Sequence, residues 1–469
     1  MSEHVESGAH VEHRTSIVEL FAHVDANRAA HLERLLAYLR MPSISAHGTG
    51  IAETAAFLEG LLGGMGLAVE LLETPGWPVV VGRRAGPAGA PTVLLYGHYD
   101  VQPPDPLELW LSPPFEPEIR DGRIYARGAG DNKGQHFAQL LALETLIAVA
   151  GGLPCPVIVV LEGEEETGSP HIADVVRANR ERLRADLVIT SDGPVHESGR
   201  PTVELGVRGV LSFELRARGA NRDLHSGNFG GVAPNPIWTL VHLLGTMKSE
   251  AGEITIDGFH EGVDPPSEAE LEAIAKLPLD LPTAMAGLGI DRLDAPADRG
   301  YYQRLMSYPT LTINGLHGGY GGAGSKTVLP NEAVAKLDAR LVGRQEPDAV
   351  FAAVVAHVAR HAPGVEVVHQ GAMAPSTTPM GSPYVAPILA GVRAATGEEP
   401  LLVPAMGGSL PEYVWTKILG VPAFVVPYAN ADEANHAPNE NIEVERFFAG
   451  IKTGIAILLE LGALRSPCF

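Results

Sequence analysis

Two rhythms of apolar residues alternate along the chain. Residues 27–39 space Leu and Ala at helical intervals and stop short of Pro42, so a helix is expected there. Four compact apolar runs, 92–96, 123–126, 157–161 and 187–190, read as buried strands, and a helical pattern over 134–149 separates the second from the third. Strands that alternate with helices predict a layered α/β domain. After Thr202 the texture changes. Residues 210–218 alternate as a half-exposed strand does, 236–247 are helical in spacing, and 257–300 are rich in Pro, Asp, Glu and Gly with a short helix at 267–276. Strands at 310–314, 333–341 and 365–369 and a helix at 348–361 complete a small α+β unit. From about residue 374 the α/β texture returns, with a helix at 384–395, a strand at 423–426 and a long helix at 444–461. The pattern predicts an α/β domain in two parts, 1–206 and 374–469, interrupted by an inserted unit, 207–373.

The ends of the strands carry the chemistry. The first run ends in Gly97-His98-Tyr99-Asp100, and the second leads into Gly128-Ala129-Gly130-Asp131-Asn132-Lys133-Gly134. The third ends in Glu162-Gly163-Glu164-Glu165-Glu166 and the fourth in Ser191-Asp192-Gly193-Pro194, while a late loop adds Asn435-His436-Ala437-Pro438-Asn439-Glu440. Open α/β sheets bind ligands at the carboxyl ends of their strands. Two histidines with several carboxylates and no cysteine suit zinc or another first-row divalent ion. The donors outnumber what one tetrahedral catalytic ion needs, so two ions about 3.5–4 Å apart with a bridging carboxylate are expected. In an extended strand His98 and Asp100 share a face, which would let Asp100 accept the second ring N–H of His98 and fix its tautomer. Glu165 and Glu166 would face opposite ways if extended, one toward a metal and the other toward water as a general base.

Composition narrows the field. The chain has 469 residues, 45% of them hydrophobic and 19% charged, which excludes a largely disordered protein and favours two domains. Lys+Arg number 34 and Asp+Glu 56, for a net charge of −22, with no basic run. Nucleic acid and anionic membrane surfaces are therefore not expected partners. No apolar run reaches about 18 residues, so no spanning helix is expected. The polar, acidic N-terminus lacks the basic and apolar regions of a secretory signal, and its first dozen residues are expected to be frayed. Cys155 lies in an apolar run and Cys468 next to the last residue, which excludes a disulfide framework and makes the cytoplasm the default location.

The ordered set GHYDVQP, ARGAGDNKGQ, EGEEETGS, SDGP, DLHSGNFGG, GSKTVLPNEA, GGSLP and NHAPNE resembles the M20 family of metallopeptidases, and within it the cytosolic nonspecific dipeptidase and carnosine dipeptidase branch. The resemblance spans residues 27–460. It implies a mixed-sheet catalytic domain carrying two divalent ions, Zn²⁺ or else Mn²⁺, with 207–373 as an α+β lid that also makes a homodimer contact. It implies that His98 and Asp192 hold one ion, Glu166 and His436 the other, and that Asp131 bridges them, followed by a cis peptide to Asn132. Glu165 would be the general base and Asp100 would orient His98. His225 would reach the partner subunit's site to hold the oxyanion, and Thr327, Arg340 and Ser409 would bind the substrate's C-terminal carboxylate. Ala405 and Met406 stand where the branch usually has Arg and a polar or acidic residue, which implies tolerance of an apolar acyl or bulky N-terminal group. The expected activity is hydrolysis of dipeptides or similar small substrates with a free C-terminal carboxylate. An aminoacylase-like hydrolysis of N-acyl amino acids or a specialised amide is the alternative, and a non-catalytic metal-binding scaffold the third reading.

Overall fold

The computed structural model describes residues 15–294 and 299–464; the frayed N-terminus expected above and Cys468 lie outside these. Its centre is an eight-stranded mixed sheet. The order across it is Ala68–Leu72, Val79–Arg84, Val157–Glu162, Val93–His98, Leu187–Thr190, Ala423–Val425, Thr202–Glu204 and Leu401–Val403. The four middle strands are parallel, and both flanks attach to them antiparallel. Val93–His98 and Val157–Glu162 are buried throughout, as strands covered on both faces must be. One face carries Arg28–Leu39, Lys133–Ala150, Val385–Thr396 and Val444–Ala463, joined in a core with Leu95, Val159 and Ile189. Lys133–Ala150 is buried on most sides, which explains why its apolar residues ring the helix instead of forming a stripe. The other face packs Tyr96, Val160 and Val188 against Ile172, Val176 and Trp415.

A second, antiparallel sheet has the order Thr310–Gly318, Glu332–Leu341, Gly209–Arg218 and Glu366–Met373. Its inward positions, such as Leu211, Phe213, Ala335 and Leu337, share a separate core with Leu240 and Leu243 of Pro236–Met247 and Val350 and Val354 of Pro347–His361.

Three local expectations change. The run at 123–126 is not in the central sheet; Arg123–Tyr125 pairs with Glu118–Arg120 and Asn441–Glu443 in a three-stranded side sheet. Its three-residue length and half-buried ends suit an outlying ribbon. The Pro-rich stretch holds a further helix, Leu281–Leu288, capped by Asp280, and another, Tyr301–Ser307, follows it directly. Finally, Asn27 is the N-cap between two helices, Ile17–Ala26 and Arg28–Leu39. No helix of the described residues is long and apolar enough to cross a membrane.

The side sheet ties the Asp131 loop to the late loop through one buried pair. Arg127 donates to Glu440 at 2.7 Å, their side chains 1% and 0% exposed. Glu440 also accepts from the amides of Gly128 at 3.0 Å and of Gly130 and Asp131 at 2.9 Å each. Removing the cation alone strands a buried carboxylate. Arg127→Met is expected to cost about 3–5 kcal/mol of stability, read as a lower urea midpoint, with part of the loss recovered when Glu440→Gln is added. An unchanged midpoint would remove the pair from the account of how the loop is held.

Candidate metal centre

Four loops at the carboxyl edge of the central sheet converge with the late loop. His98 ends its strand buried, and its Nε2 lies 3.1 Å from Asp131 Oδ1 and 3.4 Å from Asp192 Oδ2. His436 Nε2 lies 3.0 Å from Asp131 Oδ2 and 3.2 Å from Glu166 Oε2. The two oxygens of Asp131 thus face two different histidines, each accompanied by a further carboxylate. One donor atom each from His98, Asp131 and Glu166 fall within 4.8 Å of one another. The Asp131–Asn132 peptide is cis.

The supports of these side chains are specific. His98 Nδ1 lies 3.0 Å from the Asp100 carbonyl oxygen and 3.4 Å from Asp100 Oδ1. Asp100 therefore takes this ring N–H chiefly through its main chain, where sequence spacing suggests its carboxylate; Nε2 is left as the free donor either way. The Asp100 carboxylate instead accepts the amides of Glu165 and Glu166, each at 3.1 Å. That contact matters because Glu165–Thr167 is a 3₁₀ turn, not an extended segment, closed by Gly168 at φ +91°. The turn sends Glu165 and Glu166 into the same site. Glu166 is held by Gln102, whose Nε2 donates to Oε2 at 2.9 Å and to the Glu166 carbonyl at 3.0 Å. Glu165 Oε2 is 4.0 Å from His98 Nε2, and its carboxylate makes no hydrogen bond among the described residues. His436 (φ +55°), Ala434 (φ +57°) and Asn439 (φ +65°) all adopt left-handed backbone. Such dihedrals are uncommon for residues with a Cβ and persist where the surrounding loop over-determines them.

The electrostatics are those of several acidic groups gathered out of water. Burial pushes the Glu165 carboxyl well above the usual range; His98 opposes the shift and Asp192, Glu166 and Asp131 reinforce it. Glu166 is pushed up to about 7, first by burial and then by Asp131. Asp192 is raised by burial and by Asp131. Burial also acts to raise Asp131, but hydrogen bonds from His436 and His98 outweigh it and hold this carboxyl below the usual range. His436 is pushed up to about 10 by its hydrogen bonds to Asp131 and Glu166. Two buried carboxylates, Asp131 and Asp192, and two largely buried ones, Glu165 and Glu166, with no Lys or Arg among their ion pairs in the described residues, are costly unless cations neutralise them. The donor set of imidazole nitrogens and carboxylate oxygens fits divalent first-row ions.

The remaining candidates fall into two pairs. Arg340 Nη1 donates to Ser409 Oγ at 2.8 Å, joining the second sheet to the Gly407-Gly408-Ser409 turn. That turn is held by Arg208, absent from the candidates drawn from sequence, whose Nε and Nη2 donate to the Gly407 carbonyl at 2.9 and 2.7 Å. His225 and Thr327 are exposed and 3.4 Å apart; His225 ends the short strand Leu224–His225, and Thr327 directly precedes its partner strand Val328–Leu329. His225 Nδ1 accepts the Gly227 amide at 3.0 Å, which leaves the proton on Nε2. Neither residue lines the cavity beside the metal-ligand cluster, whereas Asp131, Glu165, Asp192, Ser409 and His436 do.

Gln102, Arg127 and Glu440 complete the supports that spacing did not single out. All three do stand inside the quoted motifs, Gln102 and Glu440 four residues after His98 and His436 and Arg127 four before Asp131, but nothing in one sequence says what their side chains meet.

Comparison with known proteins bears on this geometry. A family model described as peptidase family M20/M25/M40 matches residues 94–460. The chain is 30% identical over 400 residues to a human Beta-Ala-His dipeptidase, covering 82% of this chain and 78% of that protein. It is 28% identical over 474 residues to a Cys-Gly metallodipeptidase of Schizosaccharomyces pombe, covering 96% and 99%. The crystal structure of an M20 family metallo-carboxypeptidase from Sulfolobus solfataricus superposes with a TM-score of 0.87 at 35% identity, covering 92% of this chain and 99% of that one.

Proposed function

The chain belongs to peptidase family M20/M25/M40, and from this premise we propose that it is a binuclear metal-dependent dipeptidase acting on small substrates with a free C-terminal carboxylate. The observation that carries the reading is the divergence of Asp131, with Oδ1 toward His98 and Oδ2 toward His436. In this reading His98 and Asp192 hold one ion, Glu166 and His436 the other, and Asp131 both. Zn²⁺, or else Mn²⁺, would polarise the scissile carbonyl and lower the pKa of water there toward about 7. The chain's own residues do the rest. Glu165 takes the proton from the attacking water and passes it to the leaving amine, a role suited by a carboxylate that faces the cluster and makes no hydrogen bond among the described residues. Arg340 and Ser409 receive the substrate's carboxylate, since a guanidinium fork matches that group. Residues 207–373 act as an inserted lid and dimerisation domain, and His225 and Thr327, exposed and paired, complete the partner subunit's site.

The apolar neighbours of the metal-ligand cluster, Leu305 and Met406, favour a second reading, hydrolysis of N-acyl amino acids. A panel of free dipeptides and their N-acetylated counterparts, assayed with metal-loaded protein, separates the two. Release of the C-terminal amino acid from free dipeptides is expected, abolished by a chelator and restored by Zn²⁺ or Mn²⁺. Cleavage of the blocked compounds alone would transfer the protein to the second reading, and cleavage of neither would overturn both.

A further inference from the structure

We propose that Glu204 sets the substrate preference of this site by receiving an amine at the far end of an apolar stem, carried on the amino side of the scissile bond. The inference rests on the dipeptidase reading and adds to it the class of substrate. The cavity that begins at Asp131, Glu165 and Asp192 has a volume of about 490 Å³, far more than a small acyl group fills. Beyond the metal-ligand cluster its walls include the apolar side chains of Leu305, Met306, Val403 and Met406, with Glu197 and Thr202 among the polar ones. Leu305 lies against the main chain of the Gly407 turn, where a Cβ would come within 2.9 Å of it. The walls thus combine the segment 301–307 with the edge of the central sheet.

Glu204 lines the same cavity from the strand Thr202–Glu204, in register with Val403 of the edge strand Leu401–Val403. It is 7% exposed, and its Oε2 accepts no hydrogen bond. No ion pair among the described residues includes it, and no Lys or Arg lines the cavity. The two histidines there are already committed. His436 faces Asp131 and Glu166. His196 is a neutral ring: its Nδ1 accepts the Ser198 amide at 3.1 Å, and its Nε2 lies 2.7 Å from the Tyr302 hydroxyl, which itself donates to the Pro278 carbonyl at 2.9 Å. Tyr302 spends its proton on Pro278, so Nε2 must carry one.

Burial, reinforced by Asp192, pushes the Glu204 carboxyl up to about 8, and a cation carried by the ligand is what would return it to the charged form and satisfy Oε2. The apolar walls leading to it disfavour a hydrated head close to the metal-ligand cluster and favour a hydrocarbon stem. An alkylammonium matches both parts, with its charge at Glu204 and its methylenes along Leu305, Met306 and Met406.

The test compares ε-aminohexanoyl-alanine with hexanoyl-alanine, with alanyl-alanine as reference, on metal-loaded wild type and Glu204→Gln. Binding of the two acyl compounds is measured by titration calorimetry alongside kcat/KM. The wild type is expected to favour the amine-ended compound by about tenfold or more, in kcat/KM and in Kd. Glu204→Gln is expected to shrink that ratio by about tenfold, because a site built for a charged partner discriminates through its buried polar group. An unchanged ratio in Glu204→Gln, or a wild type that favours hexanoyl-alanine, overturns the inference while cleavage of alanyl-alanine leaves the dipeptidase reading standing. If alanyl-alanine and both acyl compounds resist hydrolysis, the dipeptidase reading fails, and the Kd ratio still decides the role of Glu204.

Discussion

Glu165→Gln is expected to lower kcat for dipeptide hydrolysis by about 10³-fold or more while leaving the bound metal at the wild-type level. The argument is geometric first. Glu165 faces the metal-ligand cluster at 4.0 Å from His98 Nε2, yet it is not the carboxylate that either histidine approaches most closely. Asp131, Asp192 and Glu166 lie nearer those ring nitrogens and supply the carboxylate oxygens of the donor set. Glutamine keeps the shape of the side chain and the Asp100 contacts to its backbone amide but cannot accept a proton. A proton-transfer role therefore predicts a loss of turnover without a loss of metal, read by steady-state kinetics and elemental analysis of the same preparation. Full activity would end the assignment of Glu165 as base, and loss of metal would make it a ligand instead.

His225→Ala is expected to lower kcat by about 10²–10³-fold, the usual consequence of removing one oxyanion donor. Within one chain His225 lies exposed beside Thr327, with Nε2 carrying the proton and outside the cavity that Asp131 and Glu165 line. If it acts across a dimer, mixing and reassembling His225→Ala with Glu165→Gln restores activity that neither has alone. Half of randomly paired dimers are mixed, and each mixed dimer has one site with both residues intact, so recovery should approach about one quarter of the wild-type value. No recovery after verified subunit exchange would place the residue's action within its own chain. Unchanged activity in His225→Ala itself would remove it from catalysis.

Much of this could be read along the chain because it is local. His98, Glu165, Glu166 and Asp192 each follow a run of apolar residues, and a buried strand that ends in a polar side chain can only deliver it at the sheet's edge. The order of motifs carried the family in the same way, and with it the candidate metal donors. Asp131 was found by its glycine-rich loop, although the strand before it belongs to the side sheet and not to the central one. The ligand loop and the strand share one sequence signature, and only pairing partners distinguish a central strand from an outlying ribbon.

The amino-acid order therefore determined the alternation of strands and helices, the residues able to bind divalent ions and the membership of an M20 peptidase family. Those properties depend on side-chain type and short-range spacing. Tertiary structure decided the rest, because it depends on groups far apart in the chain. It brought Glu440 to the amides of the Asp131 loop and Arg340 to Ser409. It also turned Glu165 and Glu166 toward one site through the Asp100 carboxylate, and left Glu204 on the adjoining cavity with no partner for its Oε2 among the described residues. A hydrogen bond's two ends, or the absence of one, become visible only when the chain has closed around them.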